Sequence, residues 1–530
     1  MARPKWTSTH TLIACVSVVV LSWLIGTPRW AGPDEPSHAV ASAALVRGHI
    51  EGELADLEFR AETFDVPSMV GDPDPVCFAL QPDAPASCAG EPTDSTRLVP
   101  RYSSSSNYPI WGHVLPGLAS FVPSPHWFAY LARLVSALPV VALLVAALVR
   151  CRRTPWLFTG LLMGLTPITW FSMSIISPSA LAIAGGAALW AALLVPTARR
   201  HDLLFVAGWV ALSLPRREGP LWATLVVLLA CLATGVLPSD IWRRRSVAER
   251  TALAIAALLA FLPTLTNGVD TLNTTLAFSP LLLVVAEGGT RVAGRRAQHL
   301  AARSWVALLA AAAVLAIAAA NILRPGGPDI DTTWRIVTGT GRHLRQLVGL
   351  LGWLDTPVPE SMLLLWWMVF GGLAMLAMLG RPGRAAIAAG AFATMLVTSW
   401  ILELGTGDPS GTYWQGRYSM PFMIGVPMLL AGGVDIGSAR TRLARVTMHR
   451  TIWLVWNLSF AAALRRWGVG VNGSVYPWRW DTWSSPLAPV ILLAAHALAT
   501  WLLVSPRDLS GDAAQQSGDT NDSPVLSAHP

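Results

Sequence analysis

Asp34 and Glu35 stand side by side in Gly32-Pro33-Asp34-Glu35-Pro36-Ser37-His38, directly after the first apolar run. Ionisable groups at a bilayer edge are costly to keep there, so paired acids in this position point to use. Two chemistries suit them. A carboxylate can take the proton of an attacking hydroxyl as a general base, and hard carboxylate oxygens ligate magnesium or manganese. Asp34 is the candidate base. Glu35 shares that role, orients Asp34 or helps hold a divalent cation (Mg or Mn); no other cofactor is expected. His38 is a third candidate, as substrate contact, ligand or proton shuttle. The same residues also describe a helix start, in which Asp34 and Glu35 do no more than cap. Pro36 disfavours helical geometry at Glu35 and suits a first helical position. A short helix over Ser37–Arg47 is therefore expected, with both acids at its N-terminus, where the helix dipole favours anions.

The elements that must position these residues are apolar. Of 530 residues, 53% are hydrophobic and 13% charged, and 25 are tryptophan, a number that suits an interfacial aromatic belt. After a first run at 11–27, apolar segments recur near 127–149, 157–174, 178–196, 203–214, 220–237, 251–267, 272–287, 304–322, 360–379, 385–402, 418–434, 450–465 and 486–504. This reads as an all-α polytopic integral membrane protein with about fourteen transmembrane helices, the 203–214 segment being short for a crossing. No small-residue cleavage site follows the first run, so it is expected to remain as a helix. The chain divides into a cytoplasmic N-terminus with the first transmembrane helix (1–28), a long extracytoplasmic loop with the acidic motif (29–111), a multi-helix transmembrane domain (112–504) and a disordered cytoplasmic tail (505–530). Arginine clusters at Arg150/Arg152/Arg153, Arg199/Arg200, Arg243/Arg244/Arg245, Arg291/Arg295/Arg296, Arg381/Arg384 and Arg440/Arg442/Arg445 all fall on one side under this count, which sets both termini in the cytoplasm. The net charge of +7 sits in these short loops and is no nucleic-acid footprint; no nucleic-acid partner is expected.

The outward loops are the first one and those near 324–359, 403–417 and 467–485, with a short turn at Pro215–Glu218. Arg216, Arg217, Arg335, Arg342, Arg345 and Arg417 lie there against the topological bias. Singly, each is a snorkelling side chain or the partner of an acid. Together they suggest an anionic ligand, because guanidinium forks match phosphate. Arg417 is the best placed, at the start of a transmembrane helix in Gln415-Gly416-Arg417-Tyr418, where the helix N-terminus adds to an anion site. Arg216 and Arg217 come next. Asp355 is a candidate sugar contact and Trp353 a stacking surface, although an interfacial belt accounts for Trp353 equally well. Tyr102, Tyr108 and His113 are placed to shape an entrance. Cys77 and Cys88 lie together in the long loop; a disulfide between them is expected if that loop faces an oxidising compartment, and two free thiols fit the spacing nearly as well. The acids cluster in outer loops and not within the spans, which favours surface chemistry over passage through the bilayer. No phosphate-cradling glycine loop, metal-site cysteine spacing or nucleophile elbow competes.

The Gly32–His38 motif after a first helix resembles the signature of the bacterial membrane-protein family called domain of unknown function 2142, related to the GT-C glycosyltransferases. Leu165-Thr166-Pro167 through Ser177-Pro178-Ser179-Ala180, Gly352-Trp353-Leu354-Asp355-Thr356-Pro357 and Gln415-Gly416-Arg417-Tyr418-Ser419-Met420-Pro421-Phe422 fit the same family, so the resemblance runs over about residues 10 to 465. It implies a GT-C-like fold and a glycosyltransferase of the bacterial plasma membrane. Such an enzyme takes a sugar from a polyprenyl-phosphate donor and passes it to a cell-envelope glycan or glycolipid acceptor on the extracytoplasmic face. The catalytic acid shared by GT-C enzymes falls on Asp34, with Glu35 beside it; Gln415 and Tyr418 join the substrate-binding set. The alternative is a transporter or flippase of a lipid-linked or polar envelope precursor.

Overall fold

The first helix, Thr9–Gly26, packs between Pro125–Cys151 and the last described helix, Pro489–Val504. In the computed structural model the described residues are 9–505, apart from 57–60, 72–75, 91–95, 107, 196, 198–200, 267–275, 293–328, 407–412, 436–438, 481–482 and 484. The expected crossing at 304–322, the tail after 505 and Arg199, Arg200, Arg295 and Arg296 lie outside them. The described chain is mostly helical. Four helices, Thr9–Gly26, Pro125–Cys151, Glu360–Gly380 and Pro382–Gly405, are long and apolar enough to cross a membrane. Glu360–Gly380 exposes Leu364, Met368, Met375, Met378 and Leu379. This stripe at helical spacing suits lipid better than water.

Several expected crossings are broken, and proline is the cause. The 157–174 segment folds as Pro155–Gly164 and Pro167–Ser172, because Pro167 lacks an N–H and pushes Thr166 out of helical geometry. The 418–434 segment is likewise two pieces, Gly416–Met423 and Gly425–Ala431. Such breaks strand carbonyls inside an apolar bundle, where each must find a donor. Tryptophan supplies it. The Trp456 indole donates to the Leu165 carbonyl at 2.5 Å and the Trp190 indole to that of Phe422 at 3.2 Å. The expected aromatic belt is therefore only part of the account, since Trp23, Trp170, Trp190, Trp222, Trp456 and Trp467 are fully buried. Elsewhere one helix outruns expectation: Ala439–Val469 spans 31 residues and carries Arg466 past the 450–465 segment.

The long first loop is not purely helical, which corrects the all-α expectation. Strands β1 (Glu53–Asp56), β2 (Ala61–Pro67) and β3 (Leu98–Ser103) form an antiparallel sheet in that order. Ala61, Phe64 and Val66 of β2 are buried. Phe64 and Val66 share one pleat face and pack with Val40, Ala43 and Ala44 into a small second core. Those three residues belong to the helix Glu35–Leu45, which begins two residues earlier than expected, with Pro36 inside its first turn. Cys77 and Cys88 form a disulfide with a Cα–Cα distance of 6.1 Å.

Charge collects at two ends of the bundle. At one, Arg150 and Arg245 both approach Asp202, whose backbone N–H donates to Glu249, and Arg152 reaches Thr9. At the other end stand the acids and arginines of the candidate site.

Candidate functional site

Among the described residues, four buried arginines pair with carboxylates at that second end; Arg133 has every donor met, Arg466 leaves Nε without a partner, and Arg417 leaves both Nε and Nη1. Glu35 receives Arg133 at both oxygens, Nε to Oε1 and Nη2 to Oε2, each at 2.7 Å. The backbone N–H groups of Ile176 and Gly32 add bonds of 3.0 and 3.2 Å. Arg133 donates its remaining hydrogens to the carbonyls of Leu24, Thr27 and Pro28, satisfying the orphan carbonyls where the first helix ends. Both side chains are 0% exposed. Asp355 pairs with Arg466 at 2.8 Å and accepts from the Leu80 N–H and the Thr356 hydroxyl. Arg216 binds Glu218 and the Ser179 hydroxyl, and its guanidinium lies 3.9 Å from the Tyr418 ring centroid.

The fourth pair is unfinished. Arg417 Nη2 donates to Asp34 Oδ2 and to the Tyr418 hydroxyl, both at 3.0 Å. Arg417 is buried, yet its Nε and Nη1 have no hydrogen-bond partner, and neither has the nearby Oε1 of Gln415. The Asp34 side chain is 39% exposed. Arg417, Gln415 and Gly416 line a pocket together with Pro33, Gln346, Gly352 and Leu354. The helix bearing Arg417 is fixed by close approach at Gly416. A Cβ there would meet the Gln346 backbone at 2.7 Å, and the Gly416 N–H donates to Gln346 Oε1 at 2.8 Å.

Backbone geometry separates the two adjacent acids. Asp34 has φ 59° and ψ 8° and makes no side-chain cap bond, so helix capping is not what its carboxylate does. A left-handed residue without Gly costs free energy, and such strain gathers at functional positions. Asp34 meets Arg417, while Glu35, the next residue, meets Arg133. Glu35 thus has four donors on its two oxygens, unlike the half-exposed Asp34 beside it. A divalent cation on the acid pair would have to displace donors from Glu35, which already accepts four. Among the described residues no group of three or more His, Cys, Asp or Glu is placed to hold a metal.

The other candidates divide in the same way. The Asp355 carboxylate is buried and accepts from Arg466, Leu80 and Thr356. The Trp353 indole donates to the Trp30 carbonyl at 2.9 Å and ties the two loops together. Arg216 offers no free fork; it lies against Tyr418, whose hydroxyl holds Arg417. Arg217 is half-buried and is not among the pocket-lining residues. His38 is buried, its ring 5.2 Å from Tyr108 and 5.4 Å from His113, with Nδ1 lacking a partner. Arg133, Arg466 and Gln346 escaped the sequence reading. Arg133 had a signal: it is the one charge in the apolar run 127–149, and an intramembrane charge calls for a partner.

The histidines give the site a pH dependence. Burial pushes His113 down from 6.5 to about 4. Burial, reinforced by His113, Arg417 and Arg216, holds His38 well below its ordinary value. Both are therefore neutral when folded. Between about pH 6.5 and 4 the unfolded chain takes up protons that the folded chain refuses, so stability is full above this window and falls as pH drops through it. For His113 the gap is worth about 3 kcal/mol. The thermal midpoint in detergent should fall from pH 7 to 4.5, and His113→Asn should flatten part of that slope. Identical slopes in both proteins would contradict the assignment.

No curated protein matches the chain. Among solved structures, ArnT from Cupriavidus metallidurans bound to undecaprenyl phosphate is similar at 13% identity with a TM-score of 0.41, over 94% of this chain and 77% of that one. The family model described as "Predicted membrane protein (DUF2142)" matches residues 17–324. That is more than half of the chain and contains Asp34, Glu35, Arg133 and Arg216; the chain belongs to the DUF2142 family of membrane proteins.

Proposed function

We propose that the chain is an integral-membrane glycosyltransferase of the GT-C kind with about fourteen crossings. In this reading it moves a sugar from a polyprenyl-phosphate donor to an envelope glycan or glycolipid. The observation that carries the reading is Arg417, a buried guanidinium with two open donors at a pocket, beside a half-exposed carboxylate. A buried charge lacking acceptors is expensive. Arg417 leaves two donors open, Arg466 leaves one and Arg133 none, and the carboxylate beside Arg417 is the half-exposed one of the set; an anion at the pocket would meet that open charge.

The chemistry follows from these positions. The donor phosphate accepts from the open Nη1 of Arg417, at the end of the guanidinium it shares with the Nη2 that holds Asp34. Asp34, held by Nη2, accepts the proton of the acceptor hydroxyl. The acceptor oxygen bonds the anomeric carbon as the carbon–oxygen bond to phosphate breaks. The electron pair leaves with the polyprenyl phosphate, where Arg417 stabilises the charge. No step needs Glu35. Arg417→Ala should weaken binding of a polyprenyl phosphate to the purified protein at least tenfold and lower turnover as well, because phosphate is present in ground and transition states alike. Unchanged binding would remove Arg417 from the anion site.

Residues 29–111, 324–359, 403–417 and 467–485 then face the extracytoplasmic side, with the termini and the Arg150–Asp202–Arg245 end in the cytoplasm of a bacterium. The arginine bias supports this sidedness. A cysteine at Val475, which is exposed, should react with an impermeant thiol reagent in intact cells and one at Ser246 only after permeabilisation. The reverse pattern would invert the arrangement.

A further inference from the structure

The hairpin closed by Cys77–Cys88 lies far in sequence from the Arg417 pocket, yet its backbone ends in a cup. The carbonyls of Phe78, Gln81 and Ala84 all accept from Arg466, at 2.7, 3.0 and 2.7 Å. The Leu80 N–H donates to Asp355 Oδ2 at 3.0 Å, and Arg466 reaches the same oxygen at 2.8 Å. Asp355 closes the tip of a small hairpin whose arms, β4 (Leu350–Leu351) and β5 (Thr356–Pro357), pair antiparallel. Its tip residues Gly352 and Leu354 both have positive φ, 58° and 62°, and both line the Arg417 pocket. A left-handed leucine is unfavourable on its own and persists only where its surroundings over-determine it. Here the surroundings are Asp355 on one side and the Trp353–Trp30 bond on the other.

We propose that Arg466 and the Cys77–Cys88 hairpin form a positioning device that clamps Asp355 and thereby sets the Gly352–Leu354 rim of the Arg417 pocket, making the shape of that pocket depend on the disulfide. The Phe78 and Gln81 carbonyls also accept the N–H groups of Gln81 and Ala84 in successive turns, so their convergence on one guanidinium depends on the loop staying folded between its two cysteines. Opening it lets the carbonyls turn to water, leaves Arg466 and Asp355 as a partly unmet buried pair, and releases the rim. The inference rests on the reading of the Arg417 pocket as the functional site, but its test needs no substrate, so the two can fail separately.

The test is the labelling rate of a reporter, Leu354→Cys, by a bulky maleimide in the folded, detergent-purified protein. Cys15, Cys151 and Cys231 are buried. A control reporter, Ala223→Cys, sits fully buried in the helix Gly219–Thr234. Replacing Cys77 and Cys88 together by Ala should speed labelling at position 354 at least tenfold and leave position 223 protected. Arg466→Gln with the disulfide intact should do the same, and Arg466→Lys should restore part of the protection. If the double-alanine protein does not accumulate, the Arg466 pair decides alone. An unchanged rate at 354 would overturn the proposal. So would equal acceleration at 354 and 223, which would make the disulfide a general staple.

Discussion

Asp34→Asn should fold, bind a polyprenyl-phosphate sugar and fail to transfer it. Asparagine keeps the size of the side chain and tolerates left-handed backbone. The helix start loses nothing, because Asp34 makes no cap bond. What disappears is the proton acceptor, and general-base contributions run to roughly a hundredfold to ten-thousandfold in rate. Donor binding should stay equal or become tighter, since removing the carboxylate leaves the Arg417 charge more available to phosphate. Initial rates and donor affinity on the same purified sample separate the two effects. Wild-type-like transfer would take Asp34 out of the mechanism.

Its neighbour should behave in the opposite way. Glu35→Gln and Arg133→Ala should fail at the level of folded yield, because each leaves one half of a fully buried pair uncompensated, at a cost of about 3–5 kcal/mol. Arg133→Ala also strands the carbonyls of Leu24, Thr27 and Pro28 at the end of the first helix. Whatever Glu35→Gln protein does fold should turn over normally per molecule. Size-exclusion yield with turnover per folded molecule reads this directly. A normally folded but inactive Glu35→Gln protein would return Glu35 to the chemistry.

The contrast between these two residues shows where sequence reading stops. As letters, Asp34 and Glu35 are near-equivalent acids in one motif, and spacing cannot rank them. The rank comes from partners 383 residues away at Arg417 and 98 away at Arg133, and from a single positive φ that sends adjacent side chains to different places. Membrane character was legible, because long apolar runs are a local signal, and the Asp34–Arg417 pair joins two residues that stood out in the sequence as charges at a membrane edge. The broken helices were legible in part: Pro167 stood in plain view, but apolarity over 157–174 outweighed it. Asp355 and Arg216 read as ligand-binding because their ion pairs, with Arg466 and Glu218, are set by packing. Glu218 is only two residues from Arg216, yet that spacing alone does not say whether its carboxylate fills the fork. The sheet in the first loop was missed because its strands are short and half exposed, with little alternation outside Ala61–Pro67.

The central claim is that this site cleaves a sugar from a lipid phosphate, and detergent micelles test it most directly. A micelle has no two sides, so a flippase has nothing to do there, whereas a transferase keeps its whole reaction. Purified wild-type protein, given radiolabelled polyprenyl-phosphate sugar and an envelope glycan acceptor in micelles, should release polyprenyl phosphate and label the acceptor. Asp34→Asn should bind the donor and do neither. A wild-type protein that binds the donor in micelles without ever cleaving it, yet moves it across the bilayer of a liposome, would contradict the transferase account and establish transport instead.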